Sequence, residues 1–214
     1  MDADVLASPQ ARTILYLGQP LADYELMYSP SVETEAMRHR RPDQIPVAVL
    51  RERFDWRLVP DATQGALQSF DDTDPKDHHV LAAAINAQVE FIVTANVRHF
   101  GENDMRRSDM SAVHPGLFLS HHLPLTTYIE VVTALCNARS RPPRQPLSVH
   151  ETEVARHLPA LFEAHRNAFG NPHPDPATMV PRIQFRGPRC VRCSRVTPNL
   201  LDNSGQCQEC RLGS

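Results

Sequence analysis

The sequence predicts an α/β fold in which a parallel sheet is flanked by helices, followed by a helical C-terminal extension and a small cysteine module. Strand-like and helix-like segments alternate along the first half of the chain, as they do in parallel α/β sheets. Hydrophobic residues make up 41% of the 214 residues, which is enough for a real core. Four of the five cysteines follow residue 189, which marks the module.

The first half of the chain supplies the predicted sheet. A helical pattern runs from about Ser8 to Leu21, and Ser29 with Pro30 is a favourable start for a second helix. VAVLRERF is helical in pattern, residues 42–73 are otherwise ambiguous, and DPKDHHVLAAAINA (74–87) is a clear helix. Strands are predicted in YELMYS (24–29), WRLV (56–59), VEFIVTA (89–95) and, more weakly, SAV (111–113).

The second half is mainly helical. Helices are predicted in PGLFLSHH (115–122), LTTYIEVVTALCNARS (125–140) and SVHETEVARHLPALFEAHRNAF (148–169), the last with a capping box on Ser148 and Glu151. Cys136 is expected to pack as a small buried hydrophobe. Proline-rich joints at 141–146 and 171–182 divide the chain into three predicted parts, namely a body (1–140), an extension with a linker (141–180) and a cysteine module (181–214) that folds separately from the body.

The charge is unevenly distributed. From Pro181 to the end the chain carries a net charge of +4, and the remainder carries −7. An acidic body with a basic tail suggests two sites with different tasks. No apolar run is long enough for a membrane span, and the opening MDADVLASPQ lacks the pattern of a signal peptide, so the expected compartment is the cytoplasm.

The cysteine module predicts a zinc site. Cys190 and Cys193 form one CxxC pair, Cys207 and Cys210 form another, and 13 residues separate the pairs. Each pair can direct two sulfurs from one tight turn, so that two turns complete a tetrahedron around Zn²⁺. Disulfides are disfavoured because nothing suggests export. Four protein thiolates leave no open position, so the ion is expected to be structural.

Several arginines accompany these cysteines: Arg186, Arg189, Arg192, Arg195 and Arg211. They could contact phosphates, dock an acidic protein surface, or balance the charge of four thiolates. The resemblance of the module to a zinc ribbon rests on spacing alone and does not choose among these alternatives.

Acidic and amide side chains stand at the ends of predicted elements in the first hundred residues: Asp2 and Asp4, Glu33 and Glu35, Asp74 and Asp77, and Asn96. In a parallel sheet such positions can converge at the carboxyl edge. Converging carboxylates repel one another unless a hard divalent cation neutralises them, and Mg²⁺ or Mn²⁺ is the natural choice. Such an ion can activate water and stabilise a pentavalent phosphate transition state.

The segment DPKDHHVLAAAINAQVEFIVTANVRHF (74–100) closely resembles the second half of PIN domains, in particular the bacterial VapC-like subgroup. DADVL (2–6), SPSVETEAM (29–37), His114-Pro115 with Phe118-Leu119, and Pro142-Pro143 extend the resemblance over residues 1–165. It implies a PIN-like sheet. Position by position, it implies that the metal site is formed by Asp2, Glu35, Asp77 and Asn96, lined by the hydroxyl of Thr94. His99 departs from the pattern, since an acid is usual there.

Each of these residues also has a simpler interpretation. Asp74 is expected to cap the helix that follows, which leaves Asp77 for the ion. Glu33 and Glu35 face different ways because they are two apart on a helix, and the resemblance favours Glu35. Asp4 is expected to support the ligands from behind. His78 and His79 are expected at the surface or in orienting roles, because a hard cation prefers oxygen.

The resemblance implies a metal-dependent endoribonuclease of the toxin–antitoxin type, with RNA as substrate, a homodimeric state and a small antitoxin that covers the site. RNA is expected to favour the basic tail and the RHRR run (38–41). The alternative is a non-catalytic PIN-fold adaptor that binds nucleic acid or protein through the zinc ribbon. Only Met1 precedes Asp2, where the family has a short strand, so either that strand is short or apolar codons lie upstream in frame; we expect the latter.

Overall fold

The computed structural model describes residues 1–38, 44–54, 56–63, 70–173, 179–197 and 204–213. They form two compact units. The first, here called the sheet unit, comprises Met1–Ala7, Leu26–His114 and Ile183–Ser214. The second, the helical unit, comprises Ser8–Glu25 and Pro115–Arg182. The sheet unit thus contains the cysteine module together with most of the first hundred residues.

The strands of the sheet unit form two groups. β1 (Met27–Tyr28) and β2 (Arg57–Leu58) are parallel. β3 (Phe91–Val93) and β4 (Ser111–Val113) are also parallel, with Ile92 opposite Ala112, and both residues are buried. The predicted parallel sheet flanked by helices is therefore confirmed, although most strands are shorter than the sequence pattern suggested.

The first two residues lie between these strand groups. The amino nitrogen of Met1 donates to the carbonyl of Met27 at 2.6 Å. The backbone N–H of Asp2 donates to the carbonyl of Val93 at 3.0 Å. Asp2 is thereby held beside the end of β3.

Helices of the sheet unit connect and cover these strands. They are α1 (Ala3–Ala7), α3 (Pro30–Arg38), α4 (Val47–Phe54), α5 (His78–Asn86) and α6 (Glu102–Arg107). The N-terminus of α5 is preceded by a 3₁₀ turn, Pro75–Asp77, and a second 3₁₀ turn, Val97–His99, follows β3. Both 3₁₀ turns carry residues of the predicted site.

The cysteine module adds to the same sheet. β5 (Phe185–Arg186) pairs antiparallel with β4, and α12 (Gln208–Leu212) follows Cys207. Phe185 and Val191 are buried. The predicted turn at Pro198 and Asn199 lies outside the described residues, as do 39–41 of the RHRR run and 174–178 of the linker.

The helical unit is built from α2 (Pro9–Gly18), a 3₁₀ turn (Gln19–Leu21), α7 (Pro115–His122), α8 (Leu125–Ala138), α9 (Pro146–Val149), α10 (Ala155–His157) and α11 (Pro159–Ala164). Residues His150–Val154 form a π-helical stretch between α9 and α10. Cys136 is buried in α8, as predicted. The helical C-terminal extension is thus confirmed.

Two local expectations for the helices had different outcomes. The side chain of Ser8 accepts a hydrogen bond from Ala11 N at 3.4 Å and caps α2. The capping box on Ser148 and Glu151 is wrong, because the helix already begins at Pro146. Proline has no N–H, and the N–H at the first position of a helix needs no partner within the helix. The helix can therefore begin at Pro146, before Ser148.

None of the helices in the described residues combines the length and the apolar character that a membrane crossing requires.

Candidate metal centres

The acidic site begins with Asp2, which is buried beside the end of β3. One of its carboxylate oxygens accepts from Ala3 N at 2.6 Å, and the other accepts from the Thr94 hydroxyl at 2.7 Å. Thr94 is itself fully buried, and its Oγ1 accepts from Asn96 N at 3.0 Å. The end of β3 therefore holds one carboxylate of the predicted set in a fixed orientation.

Asp4 lies next to this pair. Its Oδ2 accepts from Ala95 N at 3.0 Å, whereas its Oδ1 is buried and has no hydrogen-bond partner among the described residues. Burial and the nearby charge of Asp2 raise the pKa of Asp4 to about 7. The surroundings of the Asp4 carboxylate therefore offer little positive charge. This agrees with its expected role, which is to support the metal ligands from behind.

A second group forms at the start of α5. Asp77 Oδ2 lies 3.0 Å from His99 Nδ1. Ligand atoms of Asp74, Asp77 and His99 all lie within 4.8 Å of one another, so one ion could contact all three. Asp74 Oδ1 also accepts from Lys76 N at 3.0 Å, so the predicted capping by Asp74 is confirmed. The three side chains bring the 3₁₀ turns at 75–77 and 97–99 together.

The two groups act on each other electrostatically. Burial is the largest cause of the raised pKa of Asp77, and the charge of Asp2 adds to it. The imidazole of His99 opposes this rise. A carboxylate whose ionisation is opposed by burial and by a nearby negative charge is stabilised by a cation beside it. The two carboxylates and the imidazole that lie close together, those of Asp74, Asp77 and His99, fit a divalent cation.

The structure separates the roles of Glu33 and Glu35. Glu33 forms an ion pair with Arg51 at 2.8 Å. Glu35 instead lies 3.3 Å from His79 Nε2, and His79 belongs to the first turn of α5, two residues after Asp77. Glu35 thus contacts the first turn of α5, and its role as a metal ligand stays a prediction, whereas Glu33 is paired with Arg51.

Asn96 is placed less directly. Its backbone N–H donates to Thr94 Oγ1, and its carbonyl accepts from His99 N at 2.8 Å. The residue is exposed and lies at the N-terminal end of the 3₁₀ turn 97–99. These backbone contacts of Asn96 connect Thr94 to His99 within the loop, and its role as a metal ligand stays a prediction.

A buried acid holds the segment that leads to Asp74. The carboxylate of Asp104 accepts from three successive backbone N–H groups, those of Asp71 (3.2 Å), Asp72 (3.1 Å) and Thr73 (2.9 Å). In return, Asp72 accepts from Asp104 N at 3.1 Å, and Thr73 accepts from Gly101 N at 3.0 Å. Burial opposes ionisation of Asp104, yet these N–H donors bring its pKa below the usual range.

The four module cysteines converge as predicted. Their sulfurs all lie within 4.8 Å of one another, and Cys193 Sγ is 3.7 Å from Cys207 Sγ. A tetrahedron with Zn–S bonds of about 2.3 Å has sulfur–sulfur edges of about 3.8 Å. None of the four forms a disulfide. Cys207 N donates to Cys190 Sγ at 3.3 Å, and backbone donors of this kind outweigh burial and lower the pKa of Cys190 to about 7.

The arginines of the module are largely engaged within the sheet unit. Arg186 donates to Phe100 O at 3.0 Å, and Arg192 donates to Cys210 O at 3.1 Å. Arg189 pairs with Asp109 at 2.9 Å, and Arg195 pairs with Glu209 at 2.7 Å. These contacts show an internal structural role that the three alternatives did not include, and they do not choose among the alternatives.

Two contributors were missed at the level of sequence. His99 was noted only as a departure from an acidic position, and its pairing with Asp77 depends on the fold. Asp104 gave no sequence signal, because its three N–H partners lie more than 30 residues earlier.

Comparisons with known proteins agree with this geometry. A family model described as PIN domain matches residues 10–98. A curated Mycobacterium tuberculosis protein named "Putative ribonuclease VapC50" is 33% identical over 103 residues, which is 46% of this chain. The chain spans about 59% of the length of that relative. No solved structure matches the chain.

The matched residues include Glu35, Asp77 and Thr94, while Asp2 and His99 lie just outside them. Asp2 contacts Thr94 and His99 contacts Asp77, so each of them is joined to a matched residue. Residues 10–98 of the chain are therefore similar to the PIN domain family.

Proposed function

We propose that this protein is an endoribonuclease of the toxin–antitoxin type that depends on a divalent metal ion. The observation that carries the proposal is the cluster of Asp74, Asp77 and His99, whose ligand atoms lie within 4.8 Å of one another, beside the charge of Asp2 that helps to raise the pKa of Asp77. Such an arrangement costs stability unless it serves to bind a cation. Similarity to a protein whose name describes a ribonuclease supports the choice of reaction.

Each residue of the site has a distinct role in this proposal. Asp2 and Asp77 hold the ion, together with Glu35 and, from the loop, Asn96. Thr94 donates its hydroxyl hydrogen to Asp2 and so fixes the direction of that carboxylate. When bound, the ion lowers the pKa of a water molecule and neutralises charge on the phosphate. The residues in turn position the attacking water in line with the scissile bond.

The site favours Mn²⁺ over Mg²⁺. Mg²⁺ is bound almost entirely through oxygen, whereas first-row transition ions also accept imidazole nitrogen. His99 lies where it can share an ion with Asp77. An imidazole in this position should weaken Mg²⁺ binding more than Mn²⁺ binding.

RNA reaches the site along exposed cations next to the acids. Lys76 precedes Asp77, Arg98 precedes His99, and both are exposed. These two side chains can contact phosphates on either side of the cleaved bond, since an acidic pocket alone repels the backbone of RNA. As the resemblance to VapC-like proteins implies, the protein works in the cytoplasm as a homodimer, with a small antitoxin that covers the acidic edge.

The cysteine cluster holds one structural Zn²⁺ through Cys190, Cys193, Cys207 and Cys210. The sulfur separations support this assignment, and four thiolates leave the ion no position for a substrate.

The proposal is tested by RNA cleavage with purified protein in EDTA, Mg²⁺ and Mn²⁺. We expect cleavage only with added metal, and loss of cleavage in Asp77→Asn. Asp23→Asn, at an exposed position of the helical unit, is the matched control and should cleave normally. If the unmutated protein cleaves none of a varied set of RNAs with either ion, the non-catalytic adaptor becomes the better interpretation.

A further inference from the structure

β5 of the cysteine module pairs with one side of β4, the strand that lies next to the acidic edge. In the β4–β5 ladder Val113 lies opposite Phe185, and His114 N donates to Gln184 O at 2.8 Å. On its other side, Val113 O accepts from Thr94 N at 3.0 Å. β4 is therefore held between the module and the residue that orients Asp2.

Arg186 of β5 reaches the loop that carries His99. Its Nη1 donates to the carbonyl of Phe100 at 3.0 Å, and Phe100 is fully buried. In the same loop, the carbonyl oxygen of His99 accepts a hydrogen bond from Asp74 N at 2.7 Å, directly before the 3₁₀ turn 75–77. One guanidinium thus fixes the end of the segment 94–100, which presents Thr94, Asn96 and His99.

The position of β5 depends in turn on the folded module. Gly205 has a positive φ of 60°, and a Cβ there would lie 2.8 Å from Phe185 Cδ2, so the loop before Cys207 packs directly on β5. Val191 N donates to Gly205 O at 2.7 Å and joins the two CxxC turns. Loss of the metal that gathers these turns would remove the surface against which Phe185 is packed.

A second connection runs through Arg189. Its backbone N–H donates to Ser111 Oγ at 2.9 Å, and its side chain donates to Asp109 O at 2.7 Å. The same guanidinium donates to Ser194 O at 2.8 Å, in the first CxxC turn. Arg189 is therefore hydrogen-bonded both to the start of β4 and to the first CxxC turn of the cysteine module.

We propose that the cysteine module positions the acidic edge: Arg186 holds the segment 94–100 in place for the divalent ion, and zinc in the four-cysteine site holds Arg186. This inference rests on the proposed function, which it extends from the acidic residues to the C-terminal module. Arg186 is a positioning residue, since it contacts the loop and not the ion. Partners that orient metal ligands typically change metal affinity about 10–100-fold when they are removed.

The test compares Arg186→Ala, Arg186→Lys and Arg195→Ala in the full chain. Arg195 is an exposed arginine of the same module that pairs with Glu209, so its removal should change nothing at the acidic edge. Binding of Mn²⁺ is measured by electron paramagnetic resonance, with RNA cleavage recorded in parallel. We expect the Kd for Mn²⁺ to rise about tenfold in Arg186→Ala, with partial rescue in Arg186→Lys and an unchanged zinc content.

Zinc is then released from the unmutated protein with an organomercurial, which reacts with thiolates and leaves carboxylates alone. We expect the same weakening of Mn²⁺ binding, and little additional weakening when zinc is released from Arg186→Ala. Unchanged Mn²⁺ affinity after zinc release and in Arg186→Ala would overturn the inference, as would purified protein that contains no zinc.

Amide hydrogen exchange separates this inference from the proposed function. The N–H groups of His99 and Phe100 donate to Asn96 O and Val97 O, so they should be protected in the unmutated protein and exchange faster in Arg186→Ala. If the unmutated protein binds no Mn²⁺ and cleaves no RNA, the proposed function fails, while faster exchange still supports positioning by Arg186. Unchanged exchange in Arg186→Ala would contradict the positioning role whatever the activity.

Discussion

The two candidate metal centres of the sheet unit differ in how their residues are brought together. The four cysteines of one come from a single stretch of 21 residues, Cys190–Cys210, and their sulfurs lie within 4.8 Å of one another. The acids predicted for the other, Asp2, Glu35 and Asp77, come from separate segments, and of these Asp77 is the one that lies, within the described residues, in a close group with Asp74 and His99. A local site can be identified from spacing alone, whereas a convergent site depends on the whole fold and is correspondingly sensitive to distant contacts.

The largest expected effect comes from comparing two residues of one turn: Asp77, the proposed metal ligand, and Asp74, the helix cap. Asp77→Asn removes a charge from the acidic group while keeping the shape of the side chain, and should lower the rate of RNA cleavage on the order of 100–1,000-fold. Asp74→Asn keeps the oxygen that accepts from Lys76 N, so its rate should stay within about threefold of the unmutated protein. Circular dichroism should show both variants folded.

Equal losses in the two variants would mean that Asp74 binds the ion as well, which its place beside Asp77 and His99 permits. Undiminished cleavage by Asp77→Asn, with the metal requirement intact, would remove the basis of the nuclease proposal.

The next effect concerns zinc. Purified protein should contain one equivalent of Zn²⁺, and Cys193→Ser should lose it and melt at a lower temperature. The separate folding expected from the proline-rich joint would confine the damage to the module, but the pairing of β5 with β4 predicts that the sheet unit is destabilised too. Amide exchange of residues 111–113 measures this spread. Cys136→Ser, at a thiol buried in α8, should keep its zinc.

Sequence motifs predicted Asp2, Thr94 and Asp77 as site residues, and the structure shows which contacts each of them makes. Asp2 and Thr94 are joined by a hydrogen bond, whereas binding of a metal ion by Asp2 and Asp77 stays a prediction. His99 could be seen only as an unusual residue, because its partner lies 22 positions away and the pairing requires two 3₁₀ turns to meet. The pairing of the cysteine module with the sheet could not be predicted, since a two-residue strand such as β5 has no periodic pattern.

A smaller effect tests the clamp on the segment before Asp74. Asp104→Asn leaves one acceptor oxygen for three backbone N–H groups, and should lower the free energy of unfolding by about 2 kcal/mol at neutral pH. Glu102→Gln, at a half-exposed acid on the same helix, should cost less than about 0.5 kcal/mol. Denaturant unfolding of each variant provides the measurement.

The same clamp has a pH signature. The pKa of Asp104 is lower in the folded protein than the value of about 3.9 for an unperturbed aspartate. Its contribution to stability is therefore present above pH ~4 and is lost as the pH falls through the folded pKa. The stability difference between the unmutated protein and Asp104→Asn should shrink progressively as the pH is lowered below ~4, and a difference that does not shrink would argue against the clamp.

The smallest expected effect concerns the choice of ion. His99→Asp replaces the imidazole by a carboxylate, which should strengthen Mg²⁺ binding relative to Mn²⁺ and lower the ratio of the two affinities by about tenfold. Without an ion, the new carboxylate would face Asp77 at the distance now occupied by the imidazole, so the metal-free variant should melt at a lower temperature and recover on addition of Mg²⁺. Calorimetric titration with each ion measures the ratio directly. His157→Asp, at an exposed position on α10 of the helical unit, is the control for the added charge. An unchanged ratio in His99→Asp would show that the imidazole does not contact the ion, and that the oxygen ligands alone set the preference.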